Sequence, residues 1–315
     1  MTLSDAELYD TAELFGVDLD QVRRDHVISH ALAAISTRAR GSFLFTGGTM
    51  LSRTWLHNLR LSEDIDLMVY PRRRVAGDEL AQALDAELTR EFGPPAWSKD
   101  PREAGDAESI YLSVGEDVTI KFQLVDTAGR PPWPSEAREI HQRYSDAPPA
   151  TLNVPTSDAV VAMKLTAWVD RRAERDLYDL WAMAERGMVT PGAAAIYYRH
   201  GQSPRPFNRA VFQNPPSAEA WDRALGHQCR LGATPDEAIE AIGDALDRIG
   251  AIADGYRTAE DDDEDGYSRS RAWLSGAQTR RLPAAQVNGG EQPQGDDGRL
   301  ARTSAEEQPG GTATP

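Results

Sequence analysis

The chain has 315 residues, of which 40% are hydrophobic and 27% are charged. Its net charge of −16 argues against a sequence-independent grip on nucleic acid phosphates, although a local basic patch stays compatible with it. No window approaches the roughly 18 consecutive apolar residues of a membrane span, and the N-terminus lacks the features of a secretion signal, so we expect a cytoplasmic protein that does not bind membranes.

The first 150 residues combine helical and strand patterns. Apolar residues three and four apart indicate helices, whereas alternation or a short apolar run indicates strands. The predicted helices are 18–40, 49–58 and 75–92. The predicted strands are 42–46, 64–70, 109–114 and 117–125, of which the last two form a hairpin after a loop at 93–105.

Beyond Pro155 the pattern is helical almost throughout. The predicted helices are 156–173, 176–186, 191–198, 217–229 and 235–252. From residue 258 onward apolar residues are rare, and such a segment cannot bury enough surface to offset its ordering entropy. We therefore predict an α+β fold with an α/β domain at 1–150, a helical domain at 151–257 and a disordered acidic tail at 258–315.

Two carboxylates stand two positions apart at the start of a predicted strand. Asp64 and Asp66 would point to the same face, because side chains alternate along a strand. Close carboxylates favour a cation between them, and their oxygens suit Mg²⁺ or Mn²⁺. A solvated strand start is the alternative for an isolated pair of this kind.

A glycine turn precedes this pair in the chain. Gly47, Gly48 and Thr49 follow one predicted strand and open a helix, so backbone N–H groups could approach a phosphate there. A turn of this kind beside a carboxylate pair on the next strand is the layout of phosphoryl or nucleotidyl transfer.

Other polar residues have two interpretations each. Lys164 is either a surface lysine or a phosphate contact. Asp176 and Asp179 can cap a helix and orient Arg or Lys. His26 and His30 are one helical turn apart, a spacing that can bind zinc, but without further ligands an ordinary helix face is favoured.

Several sequence segments resemble, in their order, the AbiEii/AbiGii-type nucleotidyltransferase toxins, distant members of the polymerase-beta-like nucleotidyltransferase superfamily. These segments are R-D-H at 24–26, F-T-G-G-T-M-L at 45–51, R-L-S-E-D-I-D-L at 60–67, and Lys164 followed by R-D-L-Y-D-L at 175–180. The resemblance covers about residues 20–185.

The resemblance implies a nucleotidyltransferase-like mixed sheet and a transfer of NMP from an NTP that depends on Mg²⁺ or Mn²⁺. The implied metal ligands are Asp64 and Asp66. The implied nucleotide-binding residues are Gly47, Gly48, Thr49, Ser62 and Lys164. The implied catalytic residues are Asp64, Asp66, Lys164 and Asp176. The family match also allows Asp179 to complete the active site, but we favour Asp176.

The chain departs from the family pattern at the third acid, since Gln123 stands where we expect Asp or Glu. An amide cannot accept a proton from an attacking hydroxyl, so a catalytically reduced nucleotide-binding or interaction protein is an alternative. The favoured function is that of the toxin in a toxin–antitoxin pair, acting on an RNA (tRNA) 3′ end. The implied partners are the NTP, the RNA and a cognate antitoxin, and protein nucleotidylation is a second alternative.

Overall fold

The computed structural model describes residues 3–70, 72–115, 117–128, 130–201 and 207–260. These residues belong to one compact unit. The predicted disordered tail at 258–315 lies outside the described residues, except for its first three positions, which continue the last helix.

Helices occur throughout the described chain, whereas the described strands all lie before residue 156. The helices are α1 (Asp5–Phe15), α2 (Leu19–Arg38), α3 (Gly47–Thr54), α4 (Arg73–Phe92), α5 (Ser157–Arg171), α6 (Glu174–Glu185), α7 (Pro191–His200), α8 (Ala218–Leu225) and α9 (Pro235–Glu260). The strands are β1 (Phe43–Thr46), β2 (Asp64–Val69), β3 (Ala96–Trp97), β4 (Ser109–Val114), β5 (Val118–Asp126), β6 (Ser135–Ile140) and β7 (Ala150–Pro155).

A five-stranded mixed sheet with the order β1-β2-β5-β4-β3 forms the centre of the N-terminal half. β2 and β5 run parallel, and the other neighbours are antiparallel. The parallel register sets Asp64 beside Lys121 and Asp66 beside Gln123. The sheet therefore brings together polar residues that are far apart in the sequence. β6 and β7 form a separate antiparallel pair.

Polar residues at the helix starts explain several boundaries. Asp18 caps α2 by accepting the backbone N–H of Gln21, and Thr156 caps α5 in the same way. Such caps satisfy N–H groups that have no partner inside the helix. α7 combines a Thr190 cap with Pro191 in its first turn, where the missing N–H of proline costs nothing.

One continuous apolar core joins the sheet to the helices. α2 packs against α4, β5 and β7, while α5 packs against α6 and α7, and α6 packs against α9. Trp168 and Trp221 are among the largest fully buried side chains. Among the described helices, none combines the length and apolar character needed to cross a membrane.

The predicted α+β class is confirmed, and each predicted strand and helix has a counterpart. The prediction missed α1, β6 and β7, and the predicted loop at 93–105 contains the short strand β3. α3 begins at Gly47, two residues before the predicted start. β7 begins at residue 150 and continues to Pro155, so the change from mixed to helical structure comes after Pro155. The proposed domain division at 150 stays a prediction.

Candidate active site

The predicted carboxylate pair lies on β2. Asp64 and Asp66 are half-buried, whereas Ile65 and Leu67 are fully buried. This alternation follows from the period of two along a strand. The two carboxylates therefore share one face of β2, and the apolar residues on the other face enter the core.

The glycine turn packs against this pair. Gly47 has a φ of +80°, in the left-handed region that favours glycine. A Cβ atom on Gly47 would lie 2.0 Å from Oδ2 of Asp66, and one on Gly48 would lie 2.5 Å from Nη2 of Arg60. Both glycines are therefore required by the close approach of the turn to these two charged groups.

Thr49 and Ser62, the other predicted nucleotide-binding residues of this region, are buried beside the turn. The hydroxyl of Thr49 donates a hydrogen bond to the backbone carbonyl oxygen of Asp64. Oγ of Ser62 would lie 2.9 Å from a Cβ atom on Gly48. Thr49 thus fixes α3 onto β2, and Ser62 faces the backbone of the turn.

The electrostatic state of Asp66 indicates a cation site. Burial and the neighbouring charge of Asp64 raise the pKa of Asp66 from 3.8 to about 6, although Lys121, Lys164 and Arg171 oppose this rise. A divalent cation held between the two carboxylates would offset both the burial cost and the repulsion. Two adjacent carboxylates that repel each other are suitable ligands for a hard, oxygen-binding ion such as Mg²⁺ or Mn²⁺.

Lys121 on β5 is an active-site residue that the sequence analysis missed. Its Nζ lies 2.6 Å from Oδ2 of Asp64, its neighbour in the parallel register. Both side chains are about one quarter exposed, at 27% and 23%. The ammonium group therefore neutralises one carboxylate of the pair from the solvent side.

A cavity of about 430 Å³ opens beside Asp64. Its lining combines three cationic side chains with one exposed aromatic ring, although Glu63 accepts a hydrogen bond of 2.8 Å from Arg24. The lining residues are Arg24, Glu63, Asp64, Tyr111, Thr119, Lys121 and Arg175. The acidic chain thus carries a local group of cations next to its carboxylate pair.

Gln123 occupies the expected third-acid position, directly beside Asp66 in the register of β2 and β5. Its Nε2 donates to the backbone oxygen of Ala107 at 3.1 Å and to Oγ of Ser109 at 3.2 Å. The amide is therefore held toward β4. It supplies no carboxylate to the pair.

Lys164 and Asp176 meet in a buried ion-pair network. Nζ of Lys164 lies 3.0 Å from Asp176 Oδ1 and 2.6 Å from Asp179 Oδ2. Arg171 donates to both oxygens of Asp176, at 2.7 and 2.9 Å. Although burial alone would raise it, the pKa of Asp176 is lowered by Lys164 and Arg171. Asp176 therefore holds two cations, both of which act electrostatically on Asp66.

Asp179 joins this network to the glycine turn. Its two oxygens each accept a hydrogen bond of 2.8 Å from Arg60, whose Nη2 lies against Gly48. Burial opposes the ionised form, yet Arg60 and Lys164 lower the pKa of Asp179 to about 2. Asp179 thus fixes Arg60 and Lys164, as expected of an aspartate that orients Arg or Lys. The expectation of a helix cap is wrong for both aspartates, because the N-cap of α6 is Ala173.

Asp25, from the first segment of the resemblance, has contacts that join three parts of the chain. Its carboxylate lies 2.8 Å from Nη2 of Arg53 and 3.3 Å from Nη1 of Arg143, and it accepts a hydrogen bond of 2.9 Å from Tyr144. Burial of this charge is therefore compensated by two guanidinium groups. The contacts fasten α2 to α3 and to the segment after β6.

Two comparisons find known proteins that are similar to this chain. The sequence model described as "Nucleotidyl transferase AbiEii toxin, Type IV TA system" matches residues 30–248. A solved structure of MenT4, a nucleotidyltransferase toxin from Mycobacterium tuberculosis H37Rv, is similar with a TM-score of 0.63 and 21% sequence identity, over 88% of this chain and 98% of that chain. At this identity the likeness concerns the fold. A comparison with curated proteins gives no match.

Proposed function

The chain belongs to the AbiEii nucleotidyltransferase toxins of type IV toxin–antitoxin systems, and from this premise we propose that it transfers NMP from an NTP to the 3′ end of an RNA, with tRNA as the favoured acceptor. The contact of the Asp64 and Asp66 pair with the glycine turn carries this proposal. Family membership also implies an antitoxin as the partner of the chain. An NTP and an RNA acceptor place the activity in the cytoplasm.

Asp64 and Asp66 would hold the divalent ion, Mg²⁺ or Mn²⁺. When bound, such an ion offsets negative charge on the reacting phosphates. The support is the position of both carboxylates on one face of β2, together with the raised pKa of Asp66, which burial and the charge of Asp64 cause and which a bound cation would lower. Without the ion, Lys121 supplies part of that charge by its contact with Asp64.

The NTP phosphates would lie between the glycine turn and the cations that face Asp66. Gly47 and Gly48 expose the turn backbone, with Ser62 beside it, while Thr49 holds α3 in place. Lys164 acts electrostatically on Asp66 and is kept in place by two aspartates, and its proposed role is to offset phosphate charge from this position. We assign Asp176, together with Asp179, to the positioning of this lysine.

In the reaction, a hydroxyl oxygen of the acceptor forms a bond to the α-phosphorus while the bond from that phosphorus to pyrophosphate breaks. Gln123 cannot take the hydroxyl proton, because an amide is not a base at neutral pH. The proton therefore leaves to a carboxylate of β2 or to water. The main contribution of the protein side chains to the reaction is electrostatic: the cations around Asp66 stabilise the negative charge that develops in the transition state.

The local cations favour an RNA acceptor. Arg24, Lys121 and Arg175 line the cavity beside Asp64, and Tyr111, which is 45% exposed, lies in the same lining. Cationic groups contact phosphates, and an exposed aromatic ring can stack on an unpaired base. An acceptor with both groups fits this lining better than a protein hydroxyl does.

The test uses purified protein, each α-³²P-labelled NTP, Mg²⁺ and total cellular RNA, with the products resolved on a denaturing gel. The wild type and the Asp10→Ala control, which changes an exposed residue of α1, should label a tRNA-sized band. Asp66→Ala should lose that label. A series with Mn²⁺, Ca²⁺ or EDTA in place of Mg²⁺ identifies the ion.

Protease and RNase treatment of the labelled product distinguishes the acceptors. Label that survives protease and disappears with RNase supports RNA. Label that survives RNase and disappears with protease assigns the activity to protein nucleotidylation and refutes the RNA proposal. Binding of NTP without any product in all four reactions would favour the catalytically reduced alternative.

A further inference from the structure

A second group of polar side chains lies away from the carboxylate pair. His26 and His30 are one turn apart on α2, and Asp146 lies in the segment between β6 and β7. Nε2 of His26 is 3.0 Å from Oδ1 and 3.1 Å from Oδ2 of Asp146, and Nε2 of His30 is 3.5 Å from Oδ2. One ligand atom from each residue lies within 4.8 Å of the other two.

These side chains are buried and incompletely paired. His26 is 4% exposed, His30 is 1% exposed, and the side chain of Asp146 is 5% exposed. Nδ1 of His30 has no hydrogen-bond partner among the described residues, and its Nε2 lies at the long distance of 3.5 Å from Oδ2 of Asp146. A buried polar group without a good partner costs about 1–3 kcal/mol, so its retention needs an explanation. The weak pairing of the buried Nε2 points to a ligand that His30 shares with His26 and Asp146.

Aromatic rings pack against the two histidines. The ring of Phe92 lies 5.5 Å from that of His26 and 5.1 Å from that of His30, and the ring of Tyr144 lies 5.0 Å from that of His26. These rings lower the polarity around the histidines, which strengthens electrostatic attraction there, and the carboxylate of Glu91 also acts electrostatically on His30. The carboxylate of Asp25, the residue before His26, is paired with Arg53 and Arg143, so we do not include it among the proposed metal ligands.

We propose that His26, His30 and Asp146 form a site for a divalent transition metal ion, with Zn²⁺ as the preferred occupant and a water molecule as the fourth ligand. Two imidazole nitrogens and one carboxylate are a zinc ligand set, whereas Mg²⁺ prefers oxygen ligands alone. Zinc–ligand bonds of about 2.0–2.2 Å in a tetrahedron separate neighbouring ligand atoms by about 3.3 Å. The distances of 3.0 and 3.5 Å from the carboxylate to the two imidazoles are close to this spacing, while the two imidazole nitrogens lie within 4.8 Å of each other and would move closer around an ion.

The i, i+4 spacing of the two histidines places both rings on one side of α2. Asp146 comes from a segment 120 residues further along the chain. A metal ion at this position would therefore cross-link α2 to the segment between β6 and β7. It would stabilise the helix that also carries Arg24 to the active-site cavity, but it would take no part in the transfer.

The proposal is tested on untagged full-length protein, because a histidine tag binds the same metals. The protein is stripped with EDTA, exchanged into metal-free buffer, and mixed with Zn²⁺ or Mg²⁺. Metal analysis after desalting should find about one zinc per chain. Co²⁺ in place of Zn²⁺ should give the intense visible absorption of a four-coordinate ion, and this readout requires no substitution.

Asp146→Asn and His30→Gln keep the size of each side chain and remove one ligand. Both should retain less than about one tenth of the zinc and lose the cobalt spectrum, and zinc should no longer raise their melting temperature. His227→Gln, which changes an exposed histidine, should bind zinc like the wild type. The circular dichroism of each metal-free variant verifies that it is folded.

Absence of stoichiometric zinc and of the cobalt spectrum in the wild type would overturn the proposal and leave a plain ion pair between His26 and Asp146. Zinc that persists in both ligand variants would also overturn it. Zinc that disappears in Asp64→Asn instead would assign the ion to the carboxylate pair. Neither result depends on nucleotidyl transfer, so the metal proposal can fail while the proposed function holds.

Discussion

The raised pKa of Asp66 makes the active site a source of instability, and the substitution Asp66→Asn should stabilise the protein. The folded state holds the proton of Asp66 more tightly than the unfolded chain does, so the cost is absent below pH 3.8 and complete above pH 6. At about 1.36 kcal/mol per pH unit, a rise from 3.8 to about 6 corresponds to about 3 kcal/mol. For a chain of this size that is roughly 6–12 °C in melting temperature.

The assay is urea unfolding of metal-free protein at pH 8 and at pH 4. Asp66→Asn should increase the free energy of unfolding by about 3 kcal/mol at pH 8 and by less than about 1 kcal/mol at pH 4. Asp10→Asn, on the exposed side of α1, should change neither value. An equal gain at both pH values, or a loss at pH 8, would refute the argument that burial and Asp64 disfavour the ionised form of Asp66.

Three further substitutions test other contacts. Gly47→Ala should lower the labelling activity by more than about 100-fold, because the added Cβ meets a carboxylate oxygen of Asp66. The control Gly41→Ala, which has open space around it, should be fully active in the same assay. Asp179→Asn should lower the free energy of unfolding in urea by about 3–5 kcal/mol, since it removes the carboxylate that pairs with Arg60 and Lys164. An unchanged urea midpoint of unfolding would contradict this prediction. Lys121→Gln should weaken binding of an NTP analogue by about tenfold or more in calorimetry. The melting temperature should stay nearly unchanged, because the ion pair of Lys121 is partly exposed. Equal affinity of the variant and the wild type would exclude a phosphate contact.

Local sequence rules were sufficient for the centre of the site. A spacing of two on a strand predicted that Asp64 and Asp66 share a face, and a strand followed by two glycines predicted the turn. Both predictions depend only on neighbours in the chain. The close approach of Gly47 to Asp66 could not be derived this way, since it depends on the pairing of β1 with β2.

The remaining contacts depend on which distant segments pair. Lys121 meets Asp64 because β2 and β5 are parallel neighbours, and no local pattern specifies that register. Asp146 joins the two histidines of α2 for a similar reason, and the pair β6 and β7, which carries Asp146 in its connection, was itself missed. The interpretation of His26 and His30 as an ordinary helix face rested on the absence of a nearby ligand in sequence.

The pairing of Arg60 with Asp179 also means that the active site cannot be completed until the ribosome has synthesised both residues. The two residues are 119 positions apart, so a ribosome that adds about 5–20 residues per second needs roughly 6–24 s between them. Until Asp179 has been made, the guanidinium group beside Gly48 has no carboxylate to orient it, even though Asp64 and Asp66 already exist. A nascent chain, or one that terminates before Asp179, is therefore expected to be inactive and harmless to the cell that makes it.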